Sequence, residues 1–311
     1  MKDHNKFLAA LAQDYYLLDM SIGDIANKYQ ISRYLVNKYL SDAKAEKIVT
    51  IKISQQLERQ IDLENKFHEL FDIENIYIIK DSDLVNRENE TLLNFSANRV
   101  LQYIKNSHIV GTVWGGTIYD IIERLPKEKI ENLLFTQFVG ENRKYNSQAG
   151  SMRMVQKIAD KFSATYTTLS GPLYILNNEV RLGMLSEIAS LETMSAASHM
   201  DFIFCGLGTI DSVKSIPIWN KYFRQIFPKL NSGDIAGMAY GRPYDINGNF
   251  LNTSHDFTFG IDLQTILNVP HRLCVVKSKF KSHATLGALR GKFFTELIIT
   301  ESVARKVLSE I

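Results

Sequence analysis

From Asn75 onward the chain repeats one pattern: a short apolar run, an amphipathic stretch with helical spacing, then another apolar run. The runs are Ile76 to Ile79, Ile109 to Val113, Leu133 to Phe138, Thr165 to Leu169, Phe202 to Cys205, Leu273 to Val276 and Leu297 to Thr300. A strand apolar on both faces needs cover on both, and parallel neighbours need crossovers long enough to hold a helix. The pattern therefore predicts βα units in a doubly wound, mostly parallel α/β sheet. Helical periodicity falls between the runs at Leu92 to Ile104, Met152 to Phe162, Val180 to Ala189, His283 to Arg290 and Ser302 to Leu308. One interruption, Asp234 to Leu251, carries the turn pair Asn247-Gly248 and predicts a hairpin inserted at the sheet's edge or mouth. There is no internal repeat and no low-complexity segment.

The first 53 residues follow a different rule. Phe7, Leu8, Leu11, Tyr15 and Leu18 recur at helical spacing. Ser21 is an N-cap with Asp24 three residues on, resembling a capping box, and Ile22, Ile25, Ala26 and Tyr29 then share a face. After a turn at Gln30 and Ile31, Ser32 caps a third helix that buries Leu35, Val36, Tyr39, Leu40 and Ala43 and exposes Arg33, Tyr34, Asn37, Lys38 and Ser41. Hydrogen-bonding side chains near the start of a helix held at an angle by its neighbour are what major-groove reading requires, so Ser32 to Ser41 is the candidate DNA-binding face. A three-helix protein-binding module is the alternative for the same residues. Lys47 to Ile53 alternates apolar and polar residues and reads as a strand, one arm of a small wing. A charged, helical-patterned segment from Gln55 to Phe71, with Leu57, Ile61, Phe67 and Leu70 on a side, then connects the parts and offers a surface for pairing subunits. The boundary falls near Ser54, giving a helix-turn-helix domain at 1–53 and an effector domain at 54–311.

At 311 residues and 45% hydrophobic content there is material for two cores. The net charge of +2 supplies no strong basic field, so DNA affinity has to come from local Lys and Arg and from pairing of subunits, a homodimer or homotetramer. Cys205 and Cys274 both sit in apolar runs and read as buried thiols in a reducing, cytoplasmic setting. No leader and no membrane span is expected.

In a doubly wound sheet, ligands sit beyond the carboxyl ends of the strands, so the strand-to-helix turns are where chemistry is sought. In G-T-V-W-G-G-T, Gly111 to Thr117, the side-chain-free Gly115 and Gly116 let backbone N–H groups close on an anion, Thr117 adds a hydroxyl, and the next helix adds its positive end. A tight turn without a ligand would use the same glycines. The pattern is neither a Walker loop nor a dinucleotide fingerprint. Gly206-Leu207-Gly208-Thr209 forms a second such turn, and Lys281, beside a helix start near Ser282, places an ammonium where it meets a held phosphate or stays solvated. The seven histidines show no metal-ligand spacing and no nucleophile motif. Asp234, Asp245, Asp256 and Asp262 serve equally as turn and capping residues.

Taken together, the N-terminal helix-turn-helix, G-T-V-W-G-G-T, G-E-N-R-K-Y-N-S-Q-A, G-L-G-T, G-D-I-A-G and K-S-H-A-T-L-G-A-L-R-G-K-F-F-T-E-L-I-I-T-E-S-V-A resemble the SorC family of bacterial sugar-responsive transcription regulators over nearly the whole chain. The resemblance implies an effector domain similar to sugar-phosphate isomerases, used as a sensor in a dimeric or tetrameric repressor or activator of a carbohydrate operon. It implies that Gly115, Gly116 and Thr117 cradle the phosphate, that Gln148 and Asp245 contact the sugar, and that Lys281 joins them. No cofactor is implied. Phe138 and Val139 stand where family members often carry a basic residue, Lys277 and Ser278 where glycines are usual, and Glu301 where an aspartate is usual. The other class left open is an isomerase- or transferase-like enzyme with an appended helical domain. Such an enzyme needs a positioned acid-base residue, and no histidine or cysteine lies in the motifs around the glycine turn.

Overall fold

Seven parallel strands form the central sheet in a computed structural model of the chain. It describes the backbone of residues 2–46, 48, 49, 59–81, 85–142 and 151–311, and the side chains of 4–46, 48, 49, 59–81, 90–142 and 153–311. Two compact units divide it, Met1–Gln56 and Leu57–Ile311.

In the first unit, α1 (Lys2–Tyr16), α2 (Ile22–Tyr29) and α3 (Arg33–Ala45) enclose a core in which Leu8, Leu11, Ile25, Val36 and Ala43 are fully buried. Ser32 caps α3 by accepting from the Leu35 N–H at 3.2 Å. Ser21 accepts from the Asp24 N–H at 3.1 Å, but its hydroxyl donates to the Asp24 carboxylate at 2.6 Å, so the Asp24 side chain returns to the hydroxyl instead of the Ser21 N–H of a capping box. Gln30 ends α2 in the left-handed region at φ +53°. Asp14, near the end of α1, accepts from Lys28 Nζ and from the Tyr29 hydroxyl, each at 2.7 Å, tying α1 to α2. Leu18 does not extend the first helix: α1 ends at Tyr16, and Leu17 and Leu18 are exposed. The strand expected over Lys47 to Ile53 lies outside the described residues except for Ile48 and Val49, which form a bend.

In the second unit the strands are β1 (Asn75–Ile79), β2 (Ile109–Thr112), β3 (Leu134–Gln137), β4 (Thr165–Thr168), β5 (Phe202–Gly206), a separate antiparallel pair β6 (Gly237–Ala239) and β7 (Arg242–Tyr244), then β8 (His271–Val276) and β9 (Glu296–Thr300). The sheet order is β1-β9-β8-β5-β2-β3-β4. The helices are α4 (Ile61–Phe71), α5 (Val85–Lys105), α6 (Gly116–Arg124), α7 (Ser151–Phe162), α8 (Asn178–Ser186), α9 (Ile188–Ser198), the short α10 (Ile210–Lys214), α11 (Pro217–Lys221), α12 (Phe223–Ile226) and α13 (Leu263–Leu267), then α14 (Ser282–Arg290) and α15 (Glu301–Leu308). Successive strand residues feed opposite cores. Phe202, Phe204, Leu273 and Val275 pack with α5, α6 and α7, while Ile203, Cys205, Cys274 and Val276 pack on the face covered by α4, α9, α14 and α15. That double burial is why β5 and the second half of β8 are apolar on both faces.

Residues 59 and 60 cover the outer edge of β1. The Gln60 N–H donates to Ile78 O at 2.9 Å, and the buried Glu64 carboxylate accepts from the Ile78 N–H at 2.8 Å while pairing with Arg59. An open edge is thereby closed by a side chain. The buried face of α4 carries Glu64, Phe67 and Phe71, whereas Ile61 and Leu70 are half exposed, so the expected apolar side is rotated. Val180 to Ala189 is two helices, α8 and the start of α9. The hairpin between Asp234 and Leu251 turns at Tyr240-Gly241 (φ +54° and +80°), and Asn247-Gly248 closes a second reversal that brings Phe250 against Tyr244. This hairpin stays out of the main sheet and is tied to the turn after β5 by the Gly208–Met238 bridge.

Candidate functional site

β2 is followed in sequence by β3 on one side, while β5 returns to pair on its other side, so the direction of winding reverses between β2 and β5. The crevice beyond their carboxyl ends is the switch point of a doubly wound sheet. A cavity of about 230 Å³ opens there. Val113 to Ile118 from the β2–α6 turn and Gly206 to Gly208 from the turn after β5 form its floor, and Lys281 closes one side. Opposite stand Leu173, Tyr174, Ile216, Trp219 and Met238, an apolar and aromatic wall. The volume lies below the roughly 300–1,000 Å³ of drug-sized sites, so the guest is a small molecule.

One end of the cavity is built by backbone. Gly115 is the N-cap residue of α6 at φ +141°, which an L side chain rarely adopts, and no side chain caps the helix. The first N–H groups of the helix therefore have no intrahelical partner and face the cavity with the positive end of the dipole. A Cβ built at Gly115 or Gly116 would meet nothing within 4 Å, which means open space in front of that helix end. Lys281 faces the same space; its ammonium donates to Leu207 O at 2.5 Å, and burial pushes its pKa below the ordinary lysine value. An ammonium with one carbonyl for a partner keeps donors for an anion.

The structure thus brings Gly115, Gly116, Thr117 and Lys281 together. Gln148 lies outside the described residues. Asp245 is not in the cavity: its carboxylate accepts from the Asn247 and Asn249 N–H groups at 2.9 and 2.8 Å and so holds the turn that Asn247-Gly248 makes. Phe138 and Val139 are fully buried in the core. Lys277 is ion-paired with Asp120 of α6 at 2.8 Å, and Ser278 precedes a single 3₁₀ turn leading to Lys281. Sequence reasoning missed Ser212, Tyr174 and Trp219, which come from three separate segments and carry no local signature, and did not single out Asn142 within the motif G-E-N-R-K-Y-N-S-Q-A. Among the described residues no cluster of three or more His, Cys, Asp or Glu could hold a metal, and no helix is long and apolar enough to cross a membrane.

In the first unit, Ser32, Arg33, Tyr34, Asn37, Lys38 and Ser41 are all exposed, and Tyr34 is 75% exposed although nothing polar holds it there. Asn37 Nδ2 donates to Arg33 O at 3.2 Å. A three-helix unit with this polar, outward face, joined to an α/β unit with a cavity at its switch point, is the arrangement of a ligand-responsive DNA-binding regulator.

The comparisons with known proteins agree. Residues 55–309 match the family model described as "Putative sugar-binding domain". Over 98% of both chains the protein is 22% identical to the sorbitol operon regulator of Klebsiella pneumoniae, and over 96% of both chains 22% identical to the deoxyribonucleoside regulator of Bacillus subtilis. The crystal structure of the full-length sorbitol operon regulator superposes with a TM-score of 0.71 at 20% identity, covering 98% of this chain and 99% of that one. A transcriptional regulator from Streptococcus pneumoniae superposes at 0.69 and 20% identity over 80% of this chain and 97% of that one. The chain belongs to the SorC family of sugar-binding transcriptional regulators.

Proposed function

We propose that α3 reads operator DNA and that a phosphorylated sugar, held by the α6 N-terminus and Lys281, sets how tightly it does so. The observation that carries this is the convergence of a bare helix N-terminus and a partly desolvated ammonium on one small cavity at the switch point. A phosphate dianion satisfies both, whereas a neutral sugar leaves the N–H groups and the ammonium with solvent alone. The aromatic wall around Trp219 and Tyr174 suits the C–H face of a sugar ring. Roles for Ser32, Arg33, Tyr34, Asn37, Lys38 and Ser41 in base and phosphate contacts, for Gln148 beside the cavity, and for a homodimer or homotetramer on a palindromic operator belong to the same reading. So do a location in the cytoplasm, control of a carbohydrate operon and action as a repressor.

The known relatives are regulators and not enzymes, which decides against the isomerase- or transferase-like reading. Calorimetry against phosphorylated pentoses and hexoses, followed by titration of a selected operator with any hit present, tests the proposal. The expected coupling is about 1–3 kcal/mol between ligand and operator. A ligand that binds and leaves operator affinity unchanged would refute the sensor role for that ligand.

A further inference from the structure

At the opposite, amino-terminal end of the sheet lies a second cavity, of about 200 Å³, between the end of α4 and the inner face of α14. Its interior is apolar: Phe71, Ile73, Leu289, Phe294 and Leu297 line it, and none is more than 8% exposed. Four charged side chains also line it. Asp72 and Lys292 pair with each other at 2.7 Å, which leaves Arg272 and Glu74. Arg272 donates from Nε to Phe293 O at 3.0 Å and from Nη1 to Val269 O, while its Nη2 has no partner among the described residues. Neither Arg272 nor Glu74 forms an ion pair among those residues.

We propose that this cavity is a second small-molecule site and that it takes an apolar α-amino acid. The carboxylate of such a ligand meets the free edge of the Arg272 guanidinium, its ammonium meets the Glu74 carboxylate, and its side chain fills the space among Phe71, Leu289 and Phe294. An apolar pocket with a few convergent polar groups is the usual form of a small-molecule site. The opposite signs of the two unpaired charges favour a zwitterion: a simple acid would be repelled by Glu74, and a simple amine by Arg272. Burial lowers the Arg272 pKa and the nearby Glu74 charge offsets this only in part, so the guanidinium still gains from an anion brought to it. The site also sits where occupancy matters. α14 begins at the residue after Lys281 and reaches this cavity with Thr285 and Leu289, and Phe71 ends the helix that follows the entry of the chain into the second unit.

Calorimetry of the full chain with leucine, isoleucine, methionine and phenylalanine tests this, with 4-methylpentanoate and isoamylamine as controls that keep one charge each. At least one amino acid should bind, both controls should bind at least about tenfold more weakly, and Glu74→Gln and Arg272→Gln should each cost about tenfold or more. Ala288→Leu should block the site by filling it, and Lys129→Ala, an exposed position that lines neither cavity, should leave the binding unchanged. Should Ala288→Leu fail to fold, the exposed Glu74 and the two controls still decide. No binding at millimolar amino acid, equal binding of a single-charge control, or unchanged binding in both Glu74→Gln and Arg272→Gln would overturn the proposal.

Discussion

Replacing Lys281 with methionine separates ligand recognition from folding. The side chain keeps its length and loses three donors, one of which is given to Leu207 O. Loss of a charged hydrogen-bonding partner costs about 1.5–3 kcal/mol, so a phosphorylated ligand should bind roughly 10- to 150-fold more weakly. Binding should survive, because the N–H groups at Gly116 and Thr117 remain. The unliganded protein should respond in the opposite sense. Burial lowers the Lys281 pKa from its ordinary 10.5, so over that interval the unfolded chain holds the proton more tightly than the folded one. Stability contributed by this group therefore rises with pH between the depressed folded pKa and 10.5, and below that interval the full desolvation penalty is present. Urea unfolding of the α/β unit, wild type against variant, should show the wild type gaining on the variant as pH climbs toward 10.5. Unchanged ligand affinity would refute the recognition step, and a wild-type advantage that falls across that range would refute the burial argument.

Arg33→Ala and Asn37→Ala should each weaken binding to a selected operator by about 1–3 kcal/mol for every base-edge hydrogen bond removed, read by fluorescence anisotropy; two folded variants binding like wild type would clear α3 of the role. Asp14 has its pKa held down by Lys28 and then Tyr29, so its stabilisation is present above the usual 3.8 and disappears as pH falls through the depressed folded value; the stability gap between wild type and Asp14→Asn should close in acid. Glu64→Leu leaves the Ile78 N–H and the Arg59 guanidinium without their carboxylate and should cost the α/β unit about 3 kcal/mol by urea unfolding, the low end for a broken buried pair because Arg59 is partly exposed. Gly248→Ala puts a Cβ against the Gly291 backbone at φ +86° and should cost about 1–3 kcal/mol in the same assay, where no loss would mean that the turn can shift.

The inner strands were legible because they are buried on both faces, and a run such as Phe202 to Cys205 has no other place in a chain of this size, whereas the edge strand β4 leaves Thr165 and Tyr166 exposed. Element ends were less legible where tertiary contacts decide them. Leu17 and Leu18 continue a helical pattern, yet α1 stops at Tyr16 because the backbone turns to meet Asp14 O and Gln13 O. The hairpin was misplaced because Asn-Gly is the stronger local signal, while Tyr240 accepts a left-handed conformation under a buried aromatic cluster with Phe138 and Phe294. At the candidate site, the glycines and Lys281 were visible from strand-to-turn spacing. The opposite wall was not, since Tyr174, between β4 and α8, and Trp219, in the short α11, are brought together only in the folded chain. Asp245 misled because an aspartate before Asn-Gly serves a turn as readily as a ligand.

A ligand in the cavity can change operator affinity only by binding two arrangements of the protein unequally, and the effect is reciprocal. That requires an element with two discrete states, not a mere path of contacts. The Lys281 ammonium would supply one, since it donates to Leu207 O and is the natural partner of an incoming phosphate. Drawing it off that carbonyl releases the turn after β5 from the segment that joins β8 to α14. β8 pairs with β9 and β9 with β1, so a shift at the buried end of β8 would be passed across consecutive, well-packed strands that deform little. At the far side, Glu301, the first residue of α15, accepts from Gln60 Nε2 at 2.8 Å, and Gln60 also bonds to β1. Residues 59 and 60 are therefore fixed to the strand edge and helix start that would carry the shift.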